Sequence, residues 1–183
     1  VVSGDIVLTA ALAEAGDGLP PEVPATTATA DGDVWLITGE KVLVPAAHLA
    51  HRVLVPARTA EGASTVFLVD PSATGVTREV NRSANLEPLT TLRFDGVRVG
   101  AADVLGEVGG GAAVVAWTTD RGVAAYCSVQ AGVCEAATRL TATYTSERRQ
   151  FDTPIATFQA VAHRAADAYI DTEAVRLTSR QAA

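Results

Sequence analysis

The chain has no methionine, only two cysteines and three histidines, and few aromatic residues. Each shortage excludes something. Cys127 and Cys134 stand two turns apart if residues 124–146 form one helix, about 10 Å along its axis. That is too far for a disulfide within the helix. Neither has a His or basic neighbour in sequence to activate a thiolate. Two thiols buried on a helix face, as expected here, suit a reducing cytoplasm better than a disulfide-stapled secreted scaffold. His48, His51 and His163 share no metal-ligand spacing with each other or with the cysteines. Basic residues are outnumbered: 14 Lys and Arg against 21 Asp and Glu give a net charge of −7. No electrostatic footprint for nucleic acid is expected from that balance. No apolar run approaches the roughly 18 residues that would suggest a membrane-spanning helix. Val1-Val2-Ser3-Gly4-Asp5 lacks the basic flank of a signal peptide. Gly109-Gly110-Gly111 lacks the Lys-Ser/Thr continuation of a phosphate loop. Without a starting methionine, and with no cap or stop signal at Gln181-Ala182-Ala183, both ends read as cut. An interior piece of a longer polypeptide is the expectation.

What is present divides into two compositions. With 183 residues, 48% of them hydrophobic, the chain can build one sizeable core or two small ones. Residues 5–12 are an apolar run fit for a buried strand. Residues 13–24, crowded with Gly and Pro, read as loop. Asp31-Gly32-Asp33, between strand-like residues 27–30 and 34–37, signals a hairpin. Residues 38–40 break the pattern and 41–44 resume it. Residues 46–51 have the character of a helical turn. Residues 52–57 and 64–69 read as a second hairpin, 76–80 as a weak strand, and 90–94 with Val97 and Val99 as a last strand around Asp95-Gly96. Many short strands with frequent turn signals predict an antiparallel β-barrel or sandwich over residues 1–103. A Gly-rich linker over 104–111 follows, because three consecutive glycines sit poorly inside a strand or helix.

From residue 112 small helix formers dominate. Ala124, Cys127, Ala131, Cys134, Thr138 and Thr141 recur at helical spacing. In the second helical segment Phe158, Val161, Ala162, Ala165, Ala168, Tyr169, Thr172 and Val175 share one side, with Arg164, Asp171 and Arg180 opposite. The fold class is therefore α+β, with the β-domain followed by a long helical hairpin over 112–183. Two antiparallel helices cannot bury both sides of such stripes, so the pair is expected to belong to a larger bundle. The joint lies in residues 144–159. There Asp152 is the expected breaker, Pro154 keeps Thr153 out of helical angles, and Thr157 is a candidate N-cap. Two adjacent arginines, Arg148 and Arg149, suit a phosphate because guanidinium matches phosphate oxygens bidentately. A solvated basic helix end is the plainer alternative.

The order Tyr144, Glu147-Arg148, Phe151, Ile155, Phe158-Gln159, then His163, Ala166-Asp167 and Glu173 resembles the helix–loop–helix of the acyl-CoA dehydrogenase family. Three further motifs follow the family order: Gly39-Glu40-Lys41, Phe94-Asp95-Gly96-Val97-Arg98-Val99, and Leu105-Gly106 with the later glycines. The resemblance implies a flavoprotein that removes an α-proton with a Glu while the β-hydride passes to FAD. It also implies an oligomer in which this joint reaches the FAD of a neighbouring homologous subunit. Carried over, the cofactor-binding positions are Arg148, Gln150 and Gln159, with Phe151 beside them. Asp152 departs from the usual Gly.

The flavin-facing motifs depart further. The family's Leu-Thr-Glu-Pro and Gly-Ser-Asp read here Leu12-Ala13-Glu14-Ala15 and Gly18-Leu19-Pro20. Its Trp-Ile-Thr/Ser reads Leu43-Val44-Pro45, which loses an aromatic, a hydroxyl and, at proline, a backbone donor. The family has two positions for the catalytic Glu, one beyond residue 183 and one that falls on Gly122, so no catalytic residue is assigned. Asp120, whose plainer role is an N-cap, and its neighbour Arg121 are the candidate substrate contacts. This pattern resembles the flavin-site-degenerate partner chain of heteromeric actinobacterial acyl-CoA dehydrogenases, which act in sterol side-chain β-oxidation. A self-sufficient homotetramer and a purely structural subunit are the rival readings. The expected ligands are an acyl-CoA and FAD held mainly by a partner subunit, with no metal, nucleic acid or membrane.

Overall fold

The computed structural model describes residues 3–16, 20–59 and 62–183. The chain divides into two compact units, Val1–Trp117 and Thr118–Ala183. In the first, β1 (Leu8–Ala10), β2 (Thr27–Asp31), β3 (Val34–Pro45), β4 (Arg52–Arg58), β5 (Ser64–Val69), β6 (Val76–Arg82), β7 (Pro88–Gly100) and β8 (Val104–Leu105) form one sheet. Its order is β6-β7-β3-β2-β4-β5-β8, with β1 added to β4. The β2–β3 hairpin closes at Asp31↔Val34, where Gly32 takes a left-handed φ of +59°. Ile37, Val53, Val55, Phe67, Leu92 and Val97 are fully buried, and each such side chain contributes about 1.5–3 kcal/mol by leaving water.

Two bulges shape the long β3–β7 ladder. Ile37 pairs with Val97 and Gly39 with Phe94, so one β3 residue opposes Asp95 and Gly96. The Gly96 amide donates to Thr38 Oγ1 at 3.2 Å. Asp95-Gly96 is thus a bulge inside one continuous strand, which is why the inward positions shift phase between Phe94 and Val97. The second bulge is on β3, where Lys41 pairs with Leu92 but Val44 with Thr90. It places Leu43 at φ +55° with 60% of its surface exposed. Gly39 sits at φ +147°, and a Cβ there would lie 2.7 Å from Thr26 Cα. Only glycine meets both demands.

Several expectations need correction. The run 5–12 is not a buried strand: only Leu8–Ala10 is extended, and Ile6, Val7 and Leu8 are exposed, although Ala11 is fully buried. β1 pairs parallel to β4, Leu8 with Arg52, and Thr27 of β2 makes a single parallel contact with Arg58. Long connections permit parallel pairing, which a hairpin forbids; the rest of the sheet is antiparallel. Residues 46–51 form a turn closed by the Leu49 amide on the Ala46 carbonyl, not a helix. Val104–Leu105, expected in a linker, pairs with β5.

The first helix, α1, spans Gly111–Glu147. Gly111 opens it against Ser64, whose carbonyl oxygen would be 2.7 Å from a Cβ. Within the second unit the inward positions of α1 include Ala124, Ala131, Cys134, Thr138 and Thr145. Cys127 and Thr141, expected on that stripe, are exposed. Ala124, Ala131, Thr138 and Thr145 follow a seven-residue repeat, the period of two helices packed along their length. The second helix, α2 (Gln159–Ala182), buries Thr172 and Ser179 and half-buries Val161, Ala165 and Val175. Phe158, Ala162, Ala168 and Tyr169, expected on the same side, are exposed instead. The hydroxyls of Thr138 and Thr172 meet at 3.1 Å. No helix among the described residues is long and apolar enough to cross a membrane.

Candidate functional site

The β-domain brings its two predicted flavin-facing segments together. The Val42 amide donates to the Ala13 carbonyl at 3.0 Å, so Ala13 lies beside the bulge that presents Leu43. We call this edge, residues 12–15 and 42–45, the rim. Its side chains offer nothing polar at Ala13, Leu43 and Pro45, and the Pro45 carbonyl already accepts the Thr9 hydroxyl at 2.6 Å. Leu19 lies outside the described residues. These residues do not fit the polar edge of a flavin ring.

One strong electrostatic feature lies beneath the rim, and the sequence reading missed it. Lys41, the only lysine of the chain, is fully buried and places Nζ 2.7 Å from Glu14 Oε1. Burial works against the Glu14 carboxylate, but bonds from Lys41 and from the Thr26 and Ala25 amides outweigh it. Together they hold its pKa down at about 2. Burial lowers the Lys41 pKa, with Glu14 opposing. Both residues belong to motifs quoted from the sequence; an isolated lysine in a β-branched strand was the available signal.

The helical unit holds the other candidate positions. The α-helix ends at Glu147, and residues 149–154 make a miniature hairpin, β9 (Arg149–Gln150) against β10 (Thr153–Pro154). Its two loop residues, Phe151 and Asp152, have φ of +50° and +64°. Left-handed pairs of this kind close two-residue hairpins. Asp tolerates this conformation, whereas an aromatic there is an outlier. Phe151 is 88% exposed and meets Phe158 edge-on at 6.3 Å between ring centroids. The Arg149 guanidinium donates to the Asp152 carbonyl at 2.5 Å. Arg149 therefore braces the turn and is not simply the next residue on the helix.

Arg148 is held by its backbone. Its amide donates to the Tyr144 carbonyl and its carbonyl accepts from the Ile155 amide, both at 2.8 Å. Its exposed guanidinium makes no ion pair among the described residues. Gln150 and Gln159 are exposed too. A free guanidinium and two amides at one joint fit an anionic diphosphate. Thr157 is not the N-cap expected for α2: its hydroxyl donates to the Pro154 carbonyl at 2.7 Å within the short turn Ile155–Thr157, and Phe158 takes the cap position.

Asp120 does not cap a helix either, because it lies well inside α1. It and Arg121 are exposed, and Arg121 Nη1 donates to the Ala183 carbonyl at 3.3 Å. A Cβ at Gly122 would meet nothing within 4 Å. Farther along, Glu135, Arg139, Tyr169, Thr172, Glu173 and Arg176 line a groove of about 560 Å³ between α1 and α2. It contains none of the cofactor or substrate positions expected from the sequence. Glu173 is lowered and Arg176 raised in pKa, chiefly by their mutual hydrogen bonds.

Two family descriptions match in chain order: "Acyl-CoA dehydrogenase, middle domain" over residues 9–97 and "Acyl-CoA dehydrogenase, C-terminal domain" over 109–183. The chain belongs to the acyl-CoA dehydrogenase family. It is 38% identical over 183 residues to acyl-CoA dehydrogenase FadE27 of Mycobacterium tuberculosis, covering 100% of this chain and 46% of that relative. Among solved structures, the Tcur3481-Tcur3483 steroid ACAD G363A variant matches with TM-score 0.84 and 38% identity, covering 100% of this chain and 48% of that one. The ChsE4-ChsE5 complex from M. tuberculosis matches with TM-score 0.85 and 37% identity, covering 98% and 47%. The chain thus spans about half the length of these relatives. Members of this oxidoreductase family bind FAD.

Proposed function

We propose that this acyl-CoA dehydrogenase chain is the non-catalytic partner of a homologous subunit in a cytoplasmic oligomer. In this reading it contributes Arg148, Gln150, Phe151 and Gln159 to FAD held mainly by that partner. The exposed, unpaired Arg148 guanidinium carries the reading. It sits on a backbone fixed at both its amide and its carbonyl, so its charge is available to a diphosphate. A rim without side-chain polar groups at Ala13, Leu43 and Pro45 supports placing the main cofactor cradle elsewhere. FAD, when bound, supplies the acceptor for the hydride removed during α,β-dehydrogenation of an acyl-CoA. The two similar two-component structures, one of them a steroid enzyme, support a heteromer acting on a steroid acyl-CoA. Asp120 and Arg121 remain the proposed substrate-side positions, and no catalytic base is assigned to this chain.

The test is Arg148→Ala in the full-length heteromer. A charge-assisted bond of this kind contributes about 1.5–3 kcal/mol, so FAD retention should weaken roughly 10- to 150-fold with the assembly intact. Unchanged FAD affinity would leave the joint a structural element only. Dissociation of the heteromer would reassign Arg148 to assembly.

A further inference from the structure

The buried ion pair has no part in the cofactor contacts proposed above. Glu14 accepts from the Ala25 amide at 2.6 Å, the Thr26 amide at 3.0 Å and Lys41 Nζ at 2.7 Å. These donors come from two separate segments, the connection entering β2 and the middle of β3. The Val42–Ala13 backbone bond stands next to the Lys41–Glu14 pair, so a covalently adjacent rung repeats the same tie. Thr26 is wedged over Gly39 and its carbonyl accepts from the Arg58 amide at 2.8 Å. One carboxylate therefore joins the first rim segment, the start of β2 and the strand that leads into the Leu43 bulge.

Stability alone is a poor reason for this arrangement. Burying two ions carries a large desolvation penalty, and a packed apolar pair often does as well. What the ions add is direction, because three donors converge on one carboxylate. We propose that Glu14 is a positioning residue: with Lys41 it forms a buried latch that fixes residues 12–15, 25–26 and 42–45 in one arrangement, so that the rim is preformed. The proposal rests on the reading above only in taking this rim to hold no flavin of its own.

The experiment is site-resolved amide hydrogen exchange on the full-length chain, without flavin or partner subunit. Failure of the latch and failure of the subunit reading are therefore separate events. In Glu14→Gln/Lys41→Met neither ion is left unpaired, so the core should keep its protection at Ile37 and Val97. The Ala25, Thr26 and Val42 amides should exchange at least about tenfold faster than in the wild type, an opening confined to the rim. A pH series gives the second readout. Glu14 faces Lys41 directly, while Glu40 and Arg58 line the adjoining groove and Glu40 is engaged by Arg93 at 2.6 Å. In the wild type the protection of Ala25 and Thr26, corrected for intrinsic exchange, should stay flat from about pH 8 to about pH 5. In Lys41→Met the carboxylate loses its cation, and protection should fall with a midpoint above the ordinary value of 4.5. Unchanged protection in the double variant, or a flat pH profile in Lys41→Met, would overturn the latch. Equal loss of protection at rim and core would make the pair a general stabiliser and overturn the positioning role.

Discussion

The rim of the β-domain and the joint of the helical hairpin depart from the family resemblance in opposite ways. At the rim the backbone device persists, a bulge with Leu43 at φ +55°, above a buried ion pair, while the polar side chains that the family resemblance leads one to expect are missing. At the joint the proposed polar contacts Arg148, Gln150 and Gln159 match the family resemblance, and Asp152, at φ +64°, stands where that resemblance leads one to expect Gly. A chain that needed its own cradle would have to keep the rim's donors. A chain that only reaches toward a neighbour's cofactor needs the joint. The difference between the two regions is the physical content of the partner-subunit reading.

The contrast breaks most readily at Lys41. Lys41→Met leaves the Glu14 carboxylate buried without its cation, and breaking a buried pair from one side costs about 3–5 kcal/mol. Urea denaturation of the full-length chain measures this, and a loss below about 1 kcal/mol would mean that the pair is not buried as described. Acid should act next most strongly. The Glu14 pKa in the fold, about 2, lies below its ordinary 4.5. Its contribution is therefore fully present above pH 4.5 and is lost as pH falls toward about 2. That contribution is roughly 3 kcal/mol. Stability measured against pH should lose this component in Glu14→Gln.

Smaller effects sharpen the joint's side of the comparison. Arg149→Ala removes the bond to the Asp152 carbonyl and should cost about 0.5–1.5 kcal/mol of hairpin stability. It should change FAD affinity less than Arg148→Ala, which is read by flavin titration of both variants in the heteromer. Asp152→Gly relieves a left-handed residue and should stabilise the chain by up to about 1 kcal/mol, visible as a small rise in the denaturation midpoint. Destabilisation would mean that the aspartate side chain has a role of its own.

Local chemistry made part of this legible from residues alone. Asp31-Gly32 announced the β2–β3 hairpin, because glycine meets the left-handed turn and alternation marks the flanking strands. The two helices followed from composition. The parallel docking of β1 did not, since an apolar run has no label for the strand it will join. Nor did Asp120's place inside α1: with Gly122 two residues on, a helix starting at Gly111 competes with one starting later, and only packing decides. The joint's function was suggested by residue order, whereas its left-handed Phe151–Asp152 turn was not, because no propensity places phenylalanine at φ +50°. Glu14 and Lys41 stand 27 positions apart, and nothing in their motifs announced that they would meet.

The most direct test of the partner-subunit account is the flavin-to-subunit ratio of the full-length protein, purified alone and with its homologous partner. The account predicts no flavin on the chain alone and FAD retained only once the partner is present, because Ala13, Leu43 and Pro45 place no polar side chain at the expected flavin contacts. A yellow homomer carrying one FAD per chain would contradict it and make this chain a self-sufficient dehydrogenase.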